Sequence, residues 1–221
     1  MSNANHSFLY RNSLAIVPLT LFLLSWIGQT LFGLQQFNDE LADHHLHTVN
    51  FAKYLTTGHF FQSTFENWES EFLQMGIYVV LTISLRQKGS AESKSLDEKE
   101  EVDREPKAQP GAPWPVRKGG IWLKLYKHSL SIAFFLLFAL SFWLHVWGSW
   151  RAYNLEQQME NKPTEMLTEY LGNSRLWFES FQNWQSEFLS IASIVVLTIF
   201  LRQQGSAESK PVDAPNEETG K

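Results

Sequence analysis

The chain has 221 residues, no cysteine, and 18 Lys and Arg against 23 Asp and Glu, a formal charge of −5. Without cysteine, disulfides, thiolate chemistry and Cys-based metal sites are excluded, and the acidic balance argues against a nucleic-acid partner. The mean hydropathy of −0.22 is that of a soluble protein, but the apolar residues are concentrated in four segments.

The first segment, Ser13–Leu34, has 22 residues without Lys, Arg, Asp or Glu. A helix of about 20 apolar residues spans a bilayer's hydrocarbon core, so this is the expected first span. It is too long for the core of a signal peptide, and no small-residue cleavage pattern follows it. In residues 35–66, Phe37, Leu41, Thr48, Phe51 and Leu55 recur at roughly helical spacing, which predicts a short amphipathic helix on the outer face. Phe72–Leu85 is an uncharged run of 14 residues, preceded by FFQSTFENWESE and followed by Arg86 and Lys88. Trp68 favours the membrane interface and Arg86 can snorkel, so the helix extended back to Trp68 is the expected second span.

Residues from about Ala91 to Trp114 are charged and poor in apolar side chains, the composition of a disordered linker. The flank that follows, Arg117 to Lys127 with Trp114 and Trp122, suits anionic headgroups or serves only as a topology signal. Ser129–Trp150 is again 22 residues without Lys, Arg, Asp or Glu, the expected third span. In the next polar stretch, Thr164 is placed to cap a helix through Met166, Leu167, Tyr170 and Leu171. Phe188–Leu201, with Trp184 before it and Arg202 after it, is the expected fourth span, and the last dozen residues read as a second disordered tail.

A repeat organises these elements. NWESEFLQMGIYVVLTISLRQKGSAESK (67–94) returns 116 residues later as NWQSEFLSIASIVVLTIFLRQQGSAESK (183–210), with 20 of 28 positions identical. The same register pairs Tyr10 with Tyr126, Asn38 with Asn154, and Tyr54 with Tyr170. The expected organisation is a first two-helix unit (8–90), a charged linker (91–120), a second two-helix unit (121–206) and a tail (207–221). Two spans per unit make the repeats parallel, both entering and leaving on one side. Arg11, Arg86, Lys88, Lys94, Arg117, Lys118, Lys124, Lys127, Arg202 and Lys210 flank that side, against Lys53, Arg151, Lys162 and Arg175 on the other. The positive-inside rule then places both termini in the cytoplasm.

Glu66 and Glu69 become Gln182 and Gln185 in the second copy, whereas Glu71 remains as Glu187. An ionisable side chain at the edge of a span normally has a partner. Glu71 lies about 22 Å along a helix before Arg86, and Gln29 about 27 Å beyond Arg11, so both fall in the outer third of the bilayer. Ser25 and Gln29 share a face at i,i+4, as do Ser141 and His145. The expected pairs are Glu71 with Gln29 or Ser25, and Glu187 with His145 or Ser141. Each is read as an interhelical hydrogen bond or, alternatively, as part of a proton or cation site where the units meet.

Asp43, His44, His45 and His47 could gather a metal on a helix. The second copy has Met159, Glu160, Asn161 and Pro163 there, so an exposed polar face is the expected role. No phosphate loop, nucleophile elbow, zinc-protease pair or nucleotide fingerprint occurs. No catalytic residue, metal or cofactor is expected.

The FxNWxSEFLQ stretch, Phe65 to Gln74, recurs from Phe181 to Leu189 and departs at Ser190. On this stretch the chain resembles a bacterial membrane-protein family of unknown function. The resemblance implies an inner-membrane location and no activity. The sequence thus predicts an all-α integral membrane protein: four transmembrane helices as two tandem parallel-repeat hairpins, with short amphipathic extracytoplasmic helices. Its expected partners are the lipid bilayer and a second copy or another membrane protein. It is expected to act non-enzymatically through packing and association, the alternative being a small proton- or cation-conducting channel or transporter subunit using Glu71 and Glu187.

Overall fold

A computed structural model describes residues 7–220. Among these, every regular element is helical: α1 Phe8–Asp43, α2 Phe51–Tyr54, α3 Gly58–Ser84, α4 Trp114–Lys118, α5 Gly120–Lys127, α6 Ser129–Met159, α7 Leu167–Tyr170 and α8 Ser174–Phe200, with a 3-10 turn at Glu101–Asp103.

Three of the described helices, α1, α6 and α8, are long and apolar enough to cross a membrane. With 36 and 31 residues, α1 and α6 outrun the 22-residue segments that the sequence marks. The expected second span falls on α3, which matches α8 in length at 27 residues. It is not one of the three, because Glu66, Glu69, Glu71 and Gln74 dilute its apolar content. The extra length of α1 and α6 ends on residues with positive φ, His45 (58°) and Asn161 (57°), which lie 116 residues apart. The expected cap at Thr164 is displaced: α7 starts after Met166, whose backbone N–H donates to Glu169 Oε2 at 2.8 Å.

The chain divides into two compact units. One comprises the residues up to Thr64 with Leu144–Gly172, the other Phe65–Trp143 with Asn173–Lys221. In the first unit, Phe37, Leu41, Tyr54 and Phe60 form the buried core. Asn38 clamps the loop after α1 by donating to Val49 O at 2.9 Å and accepting from Val49 N at 2.7 Å. Asn154 makes the same pair of bonds to Glu165 O and N, at 2.9 and 2.8 Å. One amide side chain thus satisfies a donor and an acceptor that the departing chain leaves without a helical partner.

Tyr54 and Tyr170 are both buried. The Tyr54 hydroxyl bonds His59 Nδ1 at 3.0 Å and sits where any side chain at Gly33 would collide with it. The Tyr170 hydroxyl bonds Ser149 Oγ, at the position equivalent to Gly33, at 2.6 Å. The start of α3 and the outer part of α6 approach backbone to backbone. A Cβ on Gly58 would lie 2.5 Å from Ala152 N, and one on Gly148 would lie 2.5 Å from Gln62 N. Small residues permit such close crossings.

In the second unit α3 and α8 run parallel, since contacts advance together along both from Glu69–Ser180 to Gln74–Ser190. Phe134 and Phe135 of α6 pack on Gly76 of α3, and Phe138 packs on Trp184 of α8 with ring centroids 6.5 Å apart. Large apolar side chains elsewhere on the long helices face outward, among them Leu14, Leu24, Phe32, Leu136 and Leu189.

Gly148→Ala should lower the thermal stability of the detergent-solubilised protein by about 1–3 kcal/mol, the cost of overpacking a close contact. Gly28→Ala, with no atom within 4 Å of the added Cβ, should not lower it.

Candidate functional site

The polar residues of α3 converge on α8. Glu69 is fully buried, and Ser180 Oγ donates to its Oε1 at 3.0 Å. One turn further, Gln74 Nε2 donates to Ser190 Oγ at 2.6 Å and to Glu187 O at 2.8 Å. Ser70, on the same α3 face as Gln74 at i,i+4, is buried, and its hydroxyl lies against the Glu187 carboxylate. Glu71 is exposed but within electrostatic reach of Glu187. One of these contacts, Gln74 with Ser190, joins positions one repeat apart.

Gln29 does not reach for a carboxylate: its Nε2 donates to Ser63 O at 2.6 Å. Ser25 is exposed, while Ser141 and His145 are buried. Sequence reasoning passed over Glu69 because it changes to Gln185 in the second copy, yet it is the most buried carboxylate of α3. The signal available was Ser180, a small hydroxyl at the matching depth of α8. Asp43, His44, His45 and His47 are exposed, in line with the polar face expected of them: α1 ends at Asp43, and His45 has a φ of 58°.

The residues expected as interfacial anchors make contacts within the protein. Trp68 packs edge-on against Phe65 with centroids 5.1 Å apart, and Trp184 against Phe181 at 5.3 Å. The Trp184 indole N–H is buried rather than at a wet edge. Arg86 Nη1 donates to Ile83 O and Leu85 O, and Arg202 Nη1 to Thr198 O, Ile199 O and Leu201 O. Both guanidiniums thus satisfy carbonyls at helix C-termini, where the macrodipole also favours a cation.

Beyond these arginines the structure gives GSAESK the same folded turn twice. Gln87 N donates to Ser93 Oγ at 3.0 Å and Gln203 N to Ser209 Oγ at 2.9 Å. Glu92 N donates to Ser90 Oγ and Glu208 N to Ser206 Oγ, both at 3.1 Å. Gly89 and Gly205 supply the positive φ of 82° and 81° that the turn requires. Here serine hydroxyls, not apolar burial, satisfy the backbone.

The two turns differ at their last residue. Lys94 pairs with Asp103 at 2.5 Å and holds its carboxyl below the usual range. Lys210 is buried, and its Nζ donates to Gly89 O, Pro215 O, Asn216 O and Glu218 O at 2.6 to 3.1 Å. Burial and the nearby Arg202 push its pKa down. The last residues then close over the first turn, with Gly89 N donating to Thr219 Oγ1 and Gly220 N to Ser90 O.

Separately, the first unit holds an open cavity of about 780 Å³ lined by Phe37, Leu41, Val49, Trp150, Lys53 and Arg151, among others. Arg151 is engaged through Nη1 to Thr56 O at 2.8 Å and by stacking on Trp147.

Glu69→Ala should destabilise the protein by about 1–3 kcal/mol in thermal or denaturant unfolding, because the buried Ser180 hydroxyl loses its acceptor. Glu69→Gln keeps an acceptor oxygen and should cost less, as the glutamine at position 185 would lead one to expect.

No curated protein and no solved structure matches the chain. Residues 5–221 match the model of a family described as a domain of unknown function (DUF6766), and the chain belongs to that family.

Proposed function

We propose that this is a non-enzymatic multi-pass membrane protein that works through helix packing and association with a second copy or another membrane protein. The observation that carries this reading is the α3–α8 seam, where Glu69, Ser70 and Gln74 are buried and bonded while the long helices turn Leu and Phe outward. Lipid offers helices no hydrophobic drive to associate, so buried polar contacts and close packing hold them together.

In this reading α3 is a fourth span, and the chain is two tandem hairpins entering and leaving on one side. The parallel run of α3 and α8 supports it, as do the matched Asn38 and Asn154 clamps and the matched GSAESK turns. The excess of Lys and Arg on the terminal side supports cytoplasmic termini in an inner membrane.

One observation favours the second reading, a proton- or cation-conducting subunit. Glu71 lies within electrostatic reach of Glu187. Two carboxylates in reach of one another are relieved by sharing a proton or a cation. Four spans leave little room for a path within one copy, so conduction would require an assembly.

Mass measurement of the purified protein in nanodiscs, with ion flux in proteoliposomes, separates the readings. The expected result is an oligomer whose liposomes pass protons and monovalent cations no faster than empty ones. Glu71→Gln with Glu187→Gln should leave the oligomer intact. Flux above background that this double substitution abolishes would establish the conducting reading and overturn the packing one. A monomer without flux would remove both self-association and conduction.

A further inference from the structure

We propose that α4 and α5 form a binding site for anionic phospholipid headgroups, seating the start of α6 at the membrane surface. The inference rests on the reading that α6 spans a bilayer. Only His128 separates the last residue of α5, Lys127, from the first of α6, Ser129, so α5 lies where that span meets water. The turn between α4 and α5 is set by Gly119 and Gly120, with φ of 70° and 58°.

Along α5, Ile121, Trp122, Leu125 and Tyr126 fall within one arc at 100° per residue, and Lys124 and Lys127 fall opposite. All four apolar side chains are exposed, Ile121 at 67%. Left in water they would form an unpartnered face; at a headgroup boundary they insert while the lysines stay wet. Lys118 connects the two helices, its Nζ 4.9 Å from the Trp114 ring centre and 5.0 Å from that of Trp122. The tryptophans therefore fix a cation at the level where indole rings partition.

Charge selects the lipid. Between Glu105 and Glu156 there is no Asp or Glu. Lys127 is paired with Glu105 at 2.9 Å, whereas Arg117, Lys118 and Lys124 are exposed. Three cations on one short amphipathic segment are attracted to an anionic surface and gain little from a zwitterionic one.

The test uses the full chain in nanodiscs, with tryptophan quenching by brominated phosphatidylglycerol compared with brominated phosphatidylcholine. The wild type should be quenched more strongly by the anionic lipid, by at least about two-fold in the component that Trp114→Phe with Trp122→Phe removes. Arg117→Gln with Lys118→Gln and Lys124→Gln should abolish that preference while leaving insertion intact. Equal quenching by both lipids in an inserted wild type would overturn the inference, as would a preference that survives the triple substitution. Failure of the wild type to insert at all would instead overturn the spanning reading on which it rests.

Discussion

A carboxylate with no exposed surface sets the terms for the rest of the structure. Glu69 can be buried on α3 only if a donor meets it, and Ser180 of α8 does so. That requirement fixes which face of α3 looks toward α8, and with it the positions of Ser70 and Gln74 below. An unpaired buried acid is far more costly than an unpaired hydroxyl, so the contact specifies the register of the two helices as well as stabilising it. Gly76, two turns beyond Glu69 on the same face of α3 at i,i+7, leaves room for Phe134 and Phe135 of α6.

The ends of these helices obey the same accounting. Arg86 and Arg202 satisfy the final carbonyls, and the GSAESK turn that follows each arginine uses serine hydroxyls to satisfy its own amides. Lys210 extends this to four carbonyls gathered from two stretches of chain, Gly89 and residues 215–218. In the first copy the equivalent lysine, Lys94, finds a carboxylate instead. The same hexapeptide is thereby used in one place to hold a local turn and in the other to fasten the end of the chain over its duplicate.

Much of this was legible in the sequence. Long uncharged runs announced α1 and α6, and the register of 116 announced equivalent positions that the structure gives equal bonds, as at Asn38 and Asn154. The identity of the buried acid was not legible. Retention between copies pointed to Glu71, but retention measures similarity of two local environments, and Glu69 and Gln185 need not share one. The lengths of α1 and α6 were also missed, because polar residues such as Gln35, Gln36 and Asn38 end an apolar run without ending a helix. Disorder was expected from about Ala91 to Trp114 and over the last dozen residues from charge content, on which hydroxyl-to-backbone bonds leave no mark.

The central claim is that α3 and α8 meet through their repeat-equivalent positions Gln74 and Ser190. The chain has no cysteine, so Gln74→Cys with Ser190→Cys introduces a single thiol pair without background. After mild oxidation in membranes and proteolytic cleavage between residues 95 and 113, the account predicts that the two fragments stay joined until reductant is added. Fragments that separate without reductant, while a thiol pair at Glu69→Cys and Ser180→Cys also fails to join them, would contradict it.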